Sequence, residues 1–156
     1  MSRHPAHIIA LGAGAGLVPA APGTAGTLLA FPLCWLLAAY ATPGIALAAI
    51  GGAFALGIWA CGATGRALGA ADHGSMVWDE VVAFALVLVF TPAGWMWQVG
   101  AFVLFRFFDI VKPPPIRYFD RRLKSGFGVM FDDLLAAGYT LLVLAVCQRL
   151  NGAPAA

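Results

Sequence analysis

The acidic residues of this 156-residue chain number seven, and all lie between positions 72 and 133: Asp72, Asp79, Glu80, Asp109, Asp120, Asp132 and Asp133. Much of the sequence around them is apolar. A carboxylate at membrane depth costs about 2.5–3.5 kcal/mol on insertion scales, so such residues tend to mark function. Carboxylate oxygen is the donor that Mg²⁺ prefers, with water and substrate phosphate completing the shell. A simpler reading competes for each pair. Asp79 and Glu80 are expected to open one helix, and Asp132 and Asp133 another, where acids complement the helix dipole and cap free N–H groups. One or two acids suffice for that. Neighbours on a helix point about 100° apart, so each pair can supply one cap and one ligand.

The segment RFFDIVK, residues 106–112, adds cations to the carboxylates. Arg106, Asp109 and Lys112 are spaced i, i+3, i+6, which lines them along one helical face. Three consecutive prolines then end the helix. An intrahelical ion pair is the bland reading of this run. The sharper one is an oxygen ligand for a hard cation flanked by two groups able to hold phosphate. Residues 22–27, PGTAGT, form a glycine-containing turn leading into a helix, which suits anions through exposed N–H groups. His73, beside Asp72 and before Gly74-Ser75, is either a proton shuttle or a loop histidine bonded to its neighbour. His4 and His7 read as solvated or interfacial, and Ser75 as an N-cap.

Phosphate-ester chemistries that use a side-chain nucleophile are tested by what is missing. A histidine nucleophile has only His4, His7 and His73 to draw on. A Cys-x5-Arg loop fails because Cys61 and Arg66 have four residues between them, and no DxDxT signature occurs. Carboxylates and basic residues remain, the equipment of metal-assisted hydrolysis. Gly12, Gly14 and Gly16 lack the strand–turn–helix context of a dinucleotide site. Gly12 and Gly16 are instead spaced for a small-residue helix contact.

The elements that must hold these residues are read from composition. The chain is 62% hydrophobic and 10% charged, against about a quarter charged in an average soluble domain. The bilayer is the solvent this composition fits. The net charge of +2 and the lack of basic runs interleaved with aromatics argue against nucleic acid. Apolar spans are expected at 27–41, 44–62, 76–91, 95–111 and 129–150, with a shorter helix in 7–18. Several fall below the ~20 residues of a full crossing, so short or tilted helices around a partly wet interior are expected. Runs rich in Ala, Leu and Gly without alternation exclude a barrel. The fold class is therefore all-α: a membrane-embedded bundle of five to six helices forming a single domain over 1–156.

Connections at 41–44 and 91–94 are tight and uncharged, whereas 64–75 and 112–128 carry nearly all the charge. Single crossings put both charged loops and residues 22–27 on one face. Arg66, Lys112, Arg117, Arg121, Arg122 and Lys124 mark that face as cytoplasmic. Arg3, the apolar run 8–18 and the small residues after it imitate a signal peptide, but the glycines and the Pro-Gly turn argue for retention. Cys34, Cys61 and Cys147 have no metal or redox spacing and read as core residues. Residues 151–156 read as a frayed tail.

Four motifs occur in order: GxGxGLxPxxPGTxGT over 12–27, DHGSMVWDE over 72–80, FRxxDxxKPxPIRxxDR over 105–121 and GxGVMxDDxxAAG over 126–138. Together, across nearly the whole chain, they resemble the phosphatidylglycerophosphatase A family. Ser125 departs from the glycine expected before the last motif. The resemblance implies a helical bundle in the bacterial inner membrane with its site facing the cytoplasm. It also implies Mg²⁺-dependent hydrolysis of phosphatidylglycerophosphate to phosphatidylglycerol and phosphate. Asp79, Glu80, Asp109, Asp132 and Asp133 are then the candidate metal ligands or bases. Arg106, Lys112 and Arg117 are the candidate phosphate-neutralising groups, with Thr24, Thr27 and His73 as further substrate contacts. Asp72 and Asp120 are placed in a supporting role, either orientation or a salt bridge to Arg121 or Arg122. The expected partners are the lipid substrate and the bilayer, with no nucleic acid or protein partner. A membrane phosphotransferase or a cation transporter would share the acids. The first should show spaced aspartates along one helix, and the second mid-span acids rather than acids near helix ends.

Overall fold

The computed structural model describes residues 4–150; the expected tail at 151–156 and Arg3 lie outside them. Seven α-helices occur among the described residues: α1 (Pro5–Ala10), α2 (Pro22–Tyr40), α3 (Pro43–Leu68), α4 (Trp78–Phe90), α5 (Trp95–Val111), α6 (Ile116–Arg122) and α7 (Gly126–Leu150). A short 3-10 segment, Gly12–Leu17, follows α1 and is broken at Ala13 and Gly14 by left-handed backbone. No strand occurs among the described residues.

Three helices are long and apolar enough to cross a membrane, namely α2, α3 and α7. The apolar side chains Leu28, Trp35, Ile45, Trp59, Leu142 and Val146 are exposed on them, as lipid-facing residues would be. On α5 the exposed Met96, Val99, Val103, Phe107 and Ile110 repeat every three to four residues, a lipid-facing stripe. The expected span at 76–91 turns out otherwise. Helix α4 has 13 residues, which span about 20 Å, short of the ~30 Å hydrocarbon core. It buries Val81, Val82, Ala83, Phe84, Ala85 and Val87 and packs against α2, α3, α5 and α7. A helix apolar all round belongs inside a protein, and α4 is the axis of this one.

Aromatic packing fixes the helices around that axis. Phe84 meets Phe31 of α2 with ring centres 5.3 Å apart, Phe102 of α5 at 5.9 Å and Phe105 of α5 at 5.3 Å. The Trp78 indole donates to the Ala53 carbonyl of α3 at 3.0 Å. Helices α3 and α7 touch through backbone: a Cβ on Gly126 would stand 2.8 Å from the Gly62 Cα, the close approach that small residues permit between membrane helices. Gly12 and Gly16, expected in a helix contact, instead seat the 3-10 segment against the 75–77 loop. A Cβ at Gly12 would come 2.9 Å from Val77 Cγ2, and one at Gly16 would overlap the Ser75 carbonyl. The Val77 N–H donates to the Ala10 carbonyl at 2.8 Å. Cys34 and Cys61 are buried free thiols, and Cys147 is a half-buried one.

Candidate active site

The starts of α2, α4 and α7 and the end of α5 gather at one end of the bundle. Asp79 and Glu80 are the second and third residues of α4, as expected, and that helix delivers them into the interior. Helix α7 starts at Gly126 rather than near 129, so Asp132 and Asp133 lie two turns in and no acid occupies its first turn. Capping is closed to them. Ser125 takes that role, its hydroxyl accepting from the Gly128 N–H at 3.3 Å.

Carboxylate oxygens of Asp79, Glu80 and Asp133 lie within 4.8 Å of one another. Asp79 and Asp133 are buried and Glu80 is nearly so. One oxygen on each, Asp79 Oδ1, Glu80 Oε2 and Asp133 Oδ2, is buried with no hydrogen-bond partner. Beside them stands Arg106, whose Nη1 is 2.6 Å from Asp109 Oδ2, 3.7 Å from Glu80 Oε1 and 3.4 Å from Thr27 Oγ1. Thr27 is held in turn by donating to the Gly23 carbonyl at 2.8 Å. Gly23 is a necessary void, because a Cβ there would overlap Glu80 Oε1 and stand 3.0 Å from each terminal guanidinium nitrogen of Arg106. Residues 22–27 form the opening of α2 rather than a turn before it. Ala21 precedes them in a left-handed conformation with no capping side chain, so the positive end of α2 faces this cluster.

A second cluster lies beside the first. Lys112 pairs with Asp120 at 2.9 Å and with Asp132. Burial alone would depress the Lys112 ammonium, but Asp132 and Asp120 outweigh it and hold its pKa above the usual lysine value. Slight burial would raise Asp120, yet its hydrogen bond and charge attraction to Lys112 keep it below the usual carboxylate range. Lys112 has left the line of Arg106 and Asp109. Pro113 disfavours right-handed helix at the residue before it, and Lys112 adopts φ 46°, ψ 63°.

Other expected residues stay apart. His73 is exposed and accepts locally from the Ser75 N–H at 3.2 Å. Thr24 is half-buried on α2. Arg117 is exposed and donates to the Val111 carbonyl at 3.1 Å. Asp120 engages Lys112 rather than Arg121 or Arg122. Ser75 is not a cap, since α4 begins at Trp78 after Val77. His7 is half-buried rather than solvated, its Nδ1 2.9 Å from the hydroxyl of buried Thr64. Nothing in local spacing connects two residues so far apart in the chain. Gly23 was also missed as part of the site, although its motif was singled out.

Three carboxylates crowded in a buried space repel one another when ionised. A bound cation reverses that sign and takes up the orphaned oxygens. Donors that are all carboxylate oxygen suit a hard ion such as Mg²⁺, Mn²⁺ or Ca²⁺ rather than a soft one. The residues present therefore fit a divalent cation held by Asp79, Glu80 and Asp133.

Residues 8–148 match the family model described as phosphatidylglycerophosphatase A. A phosphatidylglycerophosphatase A from Haemophilus influenzae is 46% identical over 146 residues, covering 93% of this chain and 90% of that protein. One from Escherichia coli is 40% identical over 134 residues, covering 85% and 77%. A Bacteroides thetaiotaomicron protein with the provisional name phosphatidylinositol-3-phosphatase is 40% identical over 153 residues, covering 93% and 94%. No solved structure matches.

Proposed function

The chain belongs to the phosphatidylglycerophosphatase A family, and we propose that its buried carboxylates are where it hydrolyses phosphatidylglycerophosphate to phosphatidylglycerol and inorganic phosphate. One observation carries the assignment: two helices bring Asp79, Glu80 and Asp133 together with an unpartnered buried oxygen on each. These three residues would hold Mg²⁺, which when bound would polarise the phosphoryl group and acidify water.

The chain's own residues supply the rest. Arg106 keeps one donor, Nε, buried without an acceptor, and this is the donor we assign to a phosphoryl oxygen. Glu80, Asp109 and Thr27 fix the guanidinium on its other side, so it is oriented before substrate arrives. The uncapped start of α2 adds positive potential at the same place. Asp109, held by its ion pair with Arg106, is our choice for accepting the proton of the attacking water at a carboxylate oxygen. Lys112 and Asp132 act one step away, joining the end of α5 to α7 so that Asp133 is held toward the site. The positive-inside rule supports the charged end facing the cytoplasm, in the inner membrane of a bacterium. An anionic lipid headgroup would reach the carboxylates there.

The test is phosphate release from phosphatidylglycerophosphate by the detergent-purified protein, with Mg²⁺ and with EDTA. Phosphatidylinositol 3-phosphate serves as the comparison substrate. Release should need Mg²⁺, favour phosphatidylglycerophosphate and fall on the order of a thousandfold in Asp133→Asn. A folded Asp133→Asn protein with unchanged turnover would remove the site from the reaction.

A further inference from the structure

Helix α6 carries charge that the mechanism proposed above does not use. Pro114, Arg117, Tyr118, Arg121 and Arg122 line a cleft of about 380 Å³ on its outer side. Arg117, Tyr118, Arg121 and Arg122 are spaced i, i+1, i+4, i+5 along α6, one helical stripe built from guanidinium groups and a phenol where a packed helix would put apolar residues.

The stripe is electrostatically unbalanced. Arg117 and Arg121 are four residues apart, an arrangement in which like charges destabilise a helix. None of the three arginines makes an ion pair with a carboxylate among the described residues. The one acid on this helix, Asp120, is taken by Lys112 on the inner side. The guanidinium groups are nonetheless positioned. Arg117 Nη2 is anchored on the Val111 carbonyl at 3.1 Å, and the Arg122 guanidinium carbon stands 4.5 Å from the centre of the Tyr118 ring. Tyr118 itself is half exposed, as suits an amphipathic ring at a membrane interface.

We propose that this cleft binds the phosphodiester headgroup of an anionic phospholipid of the surrounding bilayer, at a site separate from the carboxylates. Guanidinium offers paired N–H donors matched to phosphate oxygens, and a phosphodiester supplies the negative charge the stripe lacks. A lipid rather than a free ion is the occupant because α6 joins two helices of a membrane bundle, the lipid-striped α5 and the crossing helix α7. The tyrosine adds an apolar wall that a free anion would not need. Bound there, anionic lipid ties the connection between α5 and α7, and with it Lys112, to the membrane surface. The proposal does not depend on the chemistry assigned to Asp79, Glu80 and Asp133.

The full chain is reconstituted in nanodiscs of phosphatidylcholine with a minority of phosphatidylserine, and the lipids retained on release are counted by native mass spectrometry. The wild-type protein should retain phosphatidylserine in preference to phosphatidylcholine. Arg117→Gln/Arg121→Gln/Arg122→Gln should lose that preference by about tenfold or more, since each basic residue near a membrane surface is worth several-fold in affinity. A Lys triple variant at the same positions keeps charge and topology but not the paired donors, and should fall between the two. Equal retention by the wild type and the Gln triple, with both proteins folded, overturns the proposal. So does a Lys triple indistinguishable from wild type, which would mean diffuse charge rather than a built site. Displacement of phosphatidylserine by millimolar inorganic phosphate would assign the cleft to the free anion and overturn the lipid assignment.

Discussion

Two clusters of the same ingredients lie side by side at the charged end of the bundle, and they have opposite electrostatic outcomes. Around Lys112, two carboxylates meet one ammonium and each makes a direct ion pair. Around Asp79, Glu80 and Asp133, three carboxylates meet with only the shared Arg106 nearby, and three oxygens are left without partners. Asp132 and Asp133 are consecutive residues on α7, and the helical rotation between them sends one to each cluster. The first cluster closes on itself and holds helices together. The second stays open to something the chain does not supply. Acid content alone does not distinguish a site from a strut; partner satisfaction does.

The sharpest way to break this contrast is to neutralise one member of each cluster and melt the purified proteins. Asp132→Asn leaves a largely buried lysine with one partner. It should cost about 2 kcal/mol, below the 3–5 expected for breaking a fully buried pair because Asp120 remains. Asp133→Asn removes a repulsion, so without divalent cation its thermal midpoint should stay level or rise. If the two substitutions destabilise equally, the open cluster is structural as well.

A smaller effect tests whether the open cluster depends on the void at Gly23. Alanine is the better helix former by nearly 1 kcal/mol, but its methyl group would displace Glu80 or Arg106. Gly23→Ala should lower turnover between about tenfold and a hundredfold, as displacements near 1 Å do, while leaving the melting midpoint within a few degrees. Turnover equal to wild type would show that Glu80 and Arg106 need no such exact seating.

The smallest effect is the pH response of the closed cluster. The folded-state pKa of Asp120 is lowered, so its stabilisation is full above the ordinary aspartate value of about 3.9 and is lost as pH falls through the lower folded value. That of Lys112 is raised, so its part is full below about 10.4 and is lost as pH rises through the higher folded value. The difference in melting midpoint between wild type and Asp120→Asn should therefore shrink in strong acid and in strong alkali. A difference that persists undiminished into strong acid would contradict the pairing.

Much of the fold was legible because lipid-facing composition and glycine–proline turns speak through local sequence. The charged end, the turns near 42 and 92 and the acids opening α4 follow from such signals. The start of α7 was not legible. Gly126 and Gly128 read as loop, whereas the backbone of α3 comes so close at Gly62 that only glycine fits at 126. The interior place of α4 was hidden as well, because a buried helix and a short span look alike in hydropathy. In the site, spacing correctly joined Arg106 to Asp109 but carried Lys112 along the same face. The conformation imposed before Pro113 sent it to Asp120 and Asp132 instead. The pairing of His7 with Thr64 and the void at Gly23 depend on packing between distant segments, which no local pattern records.

The central claim is that the open cluster is a divalent-cation site, and Mn²⁺ binding read by electron paramagnetic resonance tests it without reference to turnover. Detergent-purified wild type and Asp132→Asn should both bind Mn²⁺ in competition with Mg²⁺, and Asp133→Asn should bind it at least about tenfold more weakly. Equal binding by Asp133→Asn, or no competable binding by folded wild-type protein, would contradict the account.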